Sequence, residues 1–233
     1  DRAIAYRREQ GFDHMRIALS VGVQKMVRAD LAGSGVMFSI DTETGFPDVV
    51  VINAAWGLGE NVVQGAVTPD EYRVFKPLLD DEGLAPIIEK SLGDKEKKMV
   101  YATGGSQTTK NEDTSTRERR TFVLDDAEIL QLSRWAALIE EHYERPMDIE
   151  WAKDGETGGL FIVQARPETV QSQKEAGSLK TYRLKEQGET LLTGLAIGEA
   201  IAVGEACVIK SVTEIDQFEE DAVLVTGMTD PDW

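Results

Sequence analysis

The sequence is poor in cysteine: of its 233 residues only Cys207 carries a thiol. That excludes an internal disulfide and every paired-cysteine metal or redox motif, and points to a reducing cytoplasm. Histidine is nearly as scarce. His14 and His142 lie far apart with no serine or cysteine motif beside either, so both read as structural. Basic charge is also short, with 25 Lys and Arg against 42 Asp and Glu and a formal net charge of −17. A polyanion is gripped by clustered cations that displace its counterions, so nucleic acid is excluded as a partner, and an anionic membrane surface with it. Long apolar runs are missing too. The best, residues 49–58, is interrupted by Asn53 and Gly57 and falls short of the roughly 20 residues a membrane helix needs.

What is present is the composition of a globular protein, 41% hydrophobic and 29% charged, enough to bury a sizeable core. At roughly 150 residues per domain the length predicts one or two domains. The sequence opens Asp1-Arg2-Ala3-Ile4, with neither an initiating Met nor a signal-peptide core, and stops at Trp233 soon after a strand-like run. It is expected to be a piece of a larger polypeptide.

Residues 15–27 mix apolar and β-branched positions and read as strand-like, as does Val36-Met37-Phe38-Ser39-Ile40 after Gly33-Ser34-Gly35. A turn with Gly45 and Pro47 precedes Val49-Val50-Val51-Ile52-Asn53-Ala54, so the unit is predicted to be a β-hairpin. Residues 71–76 form one more short strand. The polar stretch 106–120 lacks periodicity and reads as a long solvated loop. A strong helix then opens at Asp125, an N-cap with Glu128 three residues on. Ile129, Leu132, Trp135 or Ala136, and Ile139 recur at helical spacing, and Pro146 ends the helix near Arg145. Residues 147–152 and 160–165 follow as strands joined by a glycine-rich turn. Residues 171–190 read as a linker, and the Gly-punctuated segment from about residue 191 as the start of a small β-rich domain.

The hairpin carries the chemistry. Side chains alternate across a strand, so Asp148 and Glu150 share one face, and Leu160, Ile162, Gln164 and Arg166 share one face of the partner. If Glu150 pairs with Gln164, Asp148 falls opposite Arg166. A carboxylate and an amide oxygen are hard ligands suited to Mg²⁺, which completes its octahedron with water and phosphate oxygens. The planar fork of Arg166 suits the phosphate. On spacing alone, a solvated sheet face with an Asp–Arg cross-strand pair accounts for the same residues. Trp56-Gly57-Leu58-Gly59-Glu60 is only loosely a phosphate loop, since Gly-x-Gly is common and no helix clearly follows it. Cys207 reads as a small apolar residue, and Lys95-Glu96-Lys97-Lys98 as a solvated mixed-charge face.

Taken in order, Val23-Gln24-Lys25-Met26-Val27, Gly35-Val36-Met37-Phe38-Ser39, Asn53-Ala54-Ala55-Trp56-Gly57-Leu58-Gly59-Glu60, Pro69-Asp70-Glu71-Tyr72, Asp148-Ile149-Glu150-Trp151 and Gln164-Ala165-Arg166-Pro167 resemble the nucleotide-binding region of the phosphoenolpyruvate synthase family, relatives of pyruvate phosphate dikinase. The resemblance spans the whole chain. It implies an α+β architecture: an ATP-grasp nucleotide-binding lobe over residues 1–170, a linker over 171–190, and the truncated start of a swivelling phosphohistidine domain over 191–233.

It further implies that Gln24, Met26 and Val27 line the adenine pocket, the last two through backbone groups, with Glu60 a further nucleotide-side residue. Glu150 and Gln164 match the family's Mg²⁺-binding positions and Arg166 its phosphate-contacting arginine. The family's phosphorylated histidine motif and its earlier ATP-grasp lobe are absent from the sequence, as is its pyruvate-binding barrel. The implied whole enzyme makes phosphoenolpyruvate, AMP and phosphate from ATP, pyruvate and water through a phosphohistidine, and this part alone is expected to be inactive. A dikinase, a homodimer, and a non-catalytic interaction domain that keeps an ATP-grasp shell all stay open.

Overall fold

The computed structural model describes residues 2–9, 11–13, 15–16, 18, 20–81, 83–102, 108–168, 188–190, 192, 201–219 and 221–227. The apolar run of the sequence becomes the middle of a sheet: β1 (Gly33–Phe38) and β2 (Val49–Trp56) form the predicted antiparallel hairpin, with Gly35 opposite Ala54. Glycine is required there, because a Cβ on residue 35 would lie 1.8 Å from the carbonyl oxygen of Asn53. With β3 (Asp70–Phe75), β4 (Ile87–Ser91), β7 (Met147–Lys153) and β8 (Leu160–Pro167) the sheet has six antiparallel strands, ordered β4-β3-β2-β1-β7-β8. A separate two-stranded ribbon, β5 (Lys97–Tyr101) with β6 (Thr109–Asp113), touches it where Gly57 bridges Met99.

Helices are few: α1 (Arg2–Glu9), the single-turn α2 (Glu60–Val63) and α3 (Thr116–Arg119), and α4 (Asp126–Tyr143). The predicted capping box is present on α4: Asp125 accepts from the Glu128 N–H and Glu128 returns the bond to the Asp125 N–H. The helix ends at Glu144 in a left-handed conformation, just before Pro146. Its buried stripe, Ile129, Leu132 and Ala136, covers one face of the sheet. There it meets Val50 and Ile52 of β2, Tyr72 and Val74 of β3, and Ile149 and Trp151 of β7. On the opposite face the described residues place only the single-turn α2, beside β1 and β2, and this is the face that bears the polar residues.

Several sequence expectations change. Residues 20–28 run without strand pairing. The polar stretch 106–120 contains β6 and α3, because its hydrogen bonds go to β5 and to a Ser115–Glu118 capping box that no periodicity reveals. A one-turn helix does follow Gly59. Lys95 is fully buried rather than solvated, donating to Asp70 and to the carbonyl of Gly93. The strands β7 and β8 pair in the expected register, Glu150 with Gln164 and Asp148 with Arg166. A bulge beside Glu150 and Trp151 then shifts the alternation, so Leu160 and Ile162 pack against the core while Gln164 and Arg166 stay on the open face.

Residues 206–208 and 223–225 form a parallel pair, β9 (Ala206–Val208) with β10 (Val223–Val225), around a 3₁₀ turn at Val212–Gln217. Cys207 is half-buried in it and donates to the carbonyl of Gln217 at 3.6 Å. His14 and most of the linker expectation lie outside the described residues. Among the described residues no helix is long and apolar enough to cross a membrane.

Candidate nucleotide site

The open face is built by alternation. Strand β2 puts Val51 and Asn53 on it, β3 adds Glu71 and Arg73, β7 adds Asp148 and Glu150, and β8 adds Gln164 and Arg166. A cavity of about 500 Å³ opens over one end of this face. One wall is the unpaired segment with Gln24, Met26 and Val27, the facing wall is Leu58, Gly59 and Glu60, and the floor includes Ser34, Glu150 and Ala152. Its volume lies within the range of about 300–1,000 Å³ typical of small-molecule sites. The Gly57–Gly59 loop is fixed from two sides: Ser34 donates to the Gly57 carbonyl at 2.7 Å, and the Leu58 N–H donates to Met99 at 2.9 Å.

Glu150 is half-buried, and among the described residues its carboxylate has no protein partner. Gln164 faces it across the strand pair, exposed and lining neither this cavity nor the next. A second hollow of about 790 Å³ continues along the same face past Asp148, Arg166, Asn53, Asp41 and Arg73. Two guanidinium nitrogens of Arg166 lie 2.8 Å from a single oxygen of Asp148, and the side chain is 64% exposed, so its remaining donors face solvent. Arg73 is held by Asp41 at 2.8 Å and Glu71 at 2.9 Å. Burial works to raise the Asp41 carboxyl, but the N–H groups of Glu43 and Thr44 together with Arg73 outweigh it and hold Asp41 below its ordinary range.

The structure therefore brings Gln24, Met26, Val27, Glu60 and Glu150 to one cavity, with Gln164 and Arg166 on the adjoining strand. Asn53 and Arg73 were not singled out from sequence, although counting by twos along β2 and β3 puts them on this face. Asp148 was placed opposite Arg166 but given no role. The donor set fits Mg²⁺ only in the company of phosphate, since it offers one carboxylate and one amide oxygen. Among the described residues no three His, Cys, Asp or Glu side chains are grouped to hold a metal by themselves.

The family model described as "Pyruvate phosphate dikinase, AMP/ATP-binding domain" matches residues 1–187. The chain is 62% identical over 239 residues to the phosphoenolpyruvate synthase of Synechocystis sp., a match covering 100% of this chain and 29% of that protein. It is 54% identical to the phosphoenolpyruvate synthases of Aquifex aeolicus and Escherichia coli, again over 100% of this chain and 28% and 29% of theirs. The chain thus spans a little under a third of the length of the curated relatives it matches.

Proposed function

Because the chain belongs to the pyruvate phosphate dikinase AMP/ATP-binding domain family, we propose that its open sheet face is the ATP·Mg²⁺ half-site of a phosphoenolpyruvate synthase with an ATP-grasp fold. Residues 1–170 are the nucleotide-binding lobe, 171–190 the linker, and 191–233 the start of the phosphohistidine domain. The observation that carries the reading is the carboxylate of Glu150, half-buried at the floor of a 500 Å³ cavity and, among the described residues, without a protein partner. A carboxylate that no protein donor occupies is available to a cation, which would bridge it to an anionic ligand.

Gln24, Met26 and Val27 form the base wall, Glu60 stands at the opposite wall, and Glu150 with Gln164 would hold Mg²⁺. Arg166, oriented by Asp148, turns its free donors to the phosphates. When bound, Mg²⁺ supplies neutralisation of phosphate charge. Phosphoryl transfer depends mainly on positioning and charge stabilisation, so the task of these residues is to hold the triphosphate for attack by a histidine carried elsewhere on the polypeptide. The whole protein would convert ATP, pyruvate and water to phosphoenolpyruvate, AMP and phosphate, with pyruvate bound outside this chain.

Calorimetric titration of ATP with Mg²⁺ into the polypeptide as the organism makes it, and into Arg166→Ala, tests the reading. A charge-assisted hydrogen bond contributes about 1.5–3 kcal/mol, so Arg166→Ala should weaken ATP by roughly 10- to 150-fold. Equal affinity in the two proteins would remove Arg166 from the site. No ATP binding by either would return the chain to the class of interaction domains.

A further inference from the structure

The glycine-rich turn between β7 and β8 does more than reverse the chain. Asp154 Oδ2 accepts the backbone N–H of Arg28 at 3.1 Å, and the N–H of Gly155 donates to the Arg28 carbonyl at 3.0 Å. The Arg28 guanidinium reaches Glu156 at 2.9 Å while its other nitrogens grip Asp30. The residue directly after Val27 is thus held by both backbone groups and its side chain, from a turn more than 120 positions away in sequence. The turn is itself stiff: Asp154 Oδ1 accepts from the N–H groups of Glu156 and Thr157 and from the Thr157 hydroxyl. Gly155 sits so close to the segment that a Cβ there would lie 2.4 Å from Leu31 Cβ and 2.7 Å from its carbonyl carbon.

The same hairpin carries Glu150, Gln164 and Arg166. Along an extended strand, Glu150 and Asp154 are about 13 Å apart at 3.3 Å per residue, a span of the order of an extended nucleoside triphosphate. We propose that the β7–β8 hairpin is a ruler: its turn clasps Arg28, directly after residues 24–27, and so sets the base-binding wall at a fixed distance from the phosphate end, making Asp154 and Gly155 positioning residues for the nucleobase. The proposal rests on the nucleotide reading of the cavity and adds to it the element that fixes ligand length. Neither residue lines the cavity. Their influence runs through Arg28, so base recognition should suffer while the phosphate end is spared.

The test compares three probes, ATP with Mg²⁺, adenosine, and inorganic tripolyphosphate with Mg²⁺, against the intact polypeptide and its Asp154→Ala, Asp154→Asn and Gly155→Ala variants. The first removes the acceptor of the Arg28 N–H, and the last pushes Leu31, three residues beyond Arg28, off the turn by a steric clash of independent origin. Both should raise the Kd of ATP and of adenosine about tenfold and leave that of tripolyphosphate within about twofold. Asp154→Asn keeps one acceptor oxygen where the turn uses two, so it should bind ATP and adenosine with affinities between those of the parent and of Asp154→Ala. Unchanged ATP affinity in both disruptive variants overturns the proposal, and so does equal loss of adenosine and tripolyphosphate, the mark of general loosening. Failure of the parent protein to bind ATP at all overturns the nucleotide reading first, which separates the two failures.

Discussion

At the scale of single residues, a buried ion pair stands outside the proposed site. Asp70 and Lys95 are both fully buried. Asp70 Oδ1 takes the Lys95 ammonium and the Gly93 N–H, and Oδ2 takes the Val123 N–H at 2.9 Å and the Tyr72 hydroxyl at 3.2 Å. Burial and then the adjacent Asp70 charge drive the Tyr72 phenol far above its ordinary range, keeping it a donor. Removing one partner of such a pair strands the other charge. Asp70→Asn should therefore cost about 3–5 kcal/mol in urea unfolding, whereas Asp70→Asn combined with Lys95→Met should cost much less. Asp154 and Glu118 offer a second test. The Arg28 and Thr157 N–H groups lead in lowering Asp154 to about 2. For Glu118, burial pushes upward but bonds from Lys98 and Ser115 prevail, leaving it at about 2 as well. Both folded values lie below the unfolded ones of roughly 4. Their contribution is thus complete above about pH 4 and is lost as the pH falls toward 2. Thermal midpoints should drop across that interval, and less steeply in Asp154→Asn. None of this pairing is visible in sequence: Lys95 stands in a run that reads as solvent-facing, and only the fold shows its ammonium turned inward onto a carboxylate 25 positions earlier.

At the scale of elements, legibility followed the strength of the local signal. Helix α4 can be read directly because its cap and its apolar stripe agree, and Leu132 at the centre of that stripe is fully buried. Leu132→Ala should cost about 2–5 kcal/mol in a denaturant titration. Strand β2 is legible for the same reason. Strand β6 is not, since Thr109-Lys110-Asn111-Glu112-Asp113 has no apolar face; its backbone pairs with β5, and the Asn61 side-chain amide donates to Asn111 Oδ1 at 2.8 Å. The bulge at Glu150 is illegible too. It costs nothing in composition yet decides that Leu160 and Ile162 enter the core while Gln164 and Arg166 face the site. Deleting Val163 should abolish this phase shift, turning either the apolar pair or the polar pair to the wrong side. Amide hydrogen exchange along β8 should report faster opening in that variant, whereas parent-like protection would show the bulge to be dispensable.

At the scale of the whole molecule, a protein of net charge −17 is read as holding a polyanionic nucleotide. Charges more than about 8 Å away are screened at physiological salt, but the hollow on the open face sets Arg73 and Arg166 among Asp41, Glu43, Glu71, Asp148 and Glu168, so the reading needs a bound cation beside the arginines. Much of that face was legible: strand alternation alone places Glu150, Gln164 and Arg166 together, and the register bears this out. The cavity walls were not, because residues 24–27 and 58–60 are set by ties distant in sequence, among them the clasp on Arg28 and the bonds from Ser34 to Gly57 and from Leu58 to Met99. An ATP·Mg²⁺ half-site on this face requires Glu150 to share a cation with bound nucleotide. Mn²⁺, a paramagnetic substitute for Mg²⁺, can be titrated with and without ATP while free Mn²⁺ is followed by electron paramagnetic resonance. In the parent protein ATP should tighten Mn²⁺ uptake by tenfold or more beyond that of the same ATP in a protein-free control, and in Glu150→Gln that excess should vanish. Mn²⁺ uptake in Glu150→Gln indistinguishable from the parent would show that this carboxylate holds no metal at the phosphates.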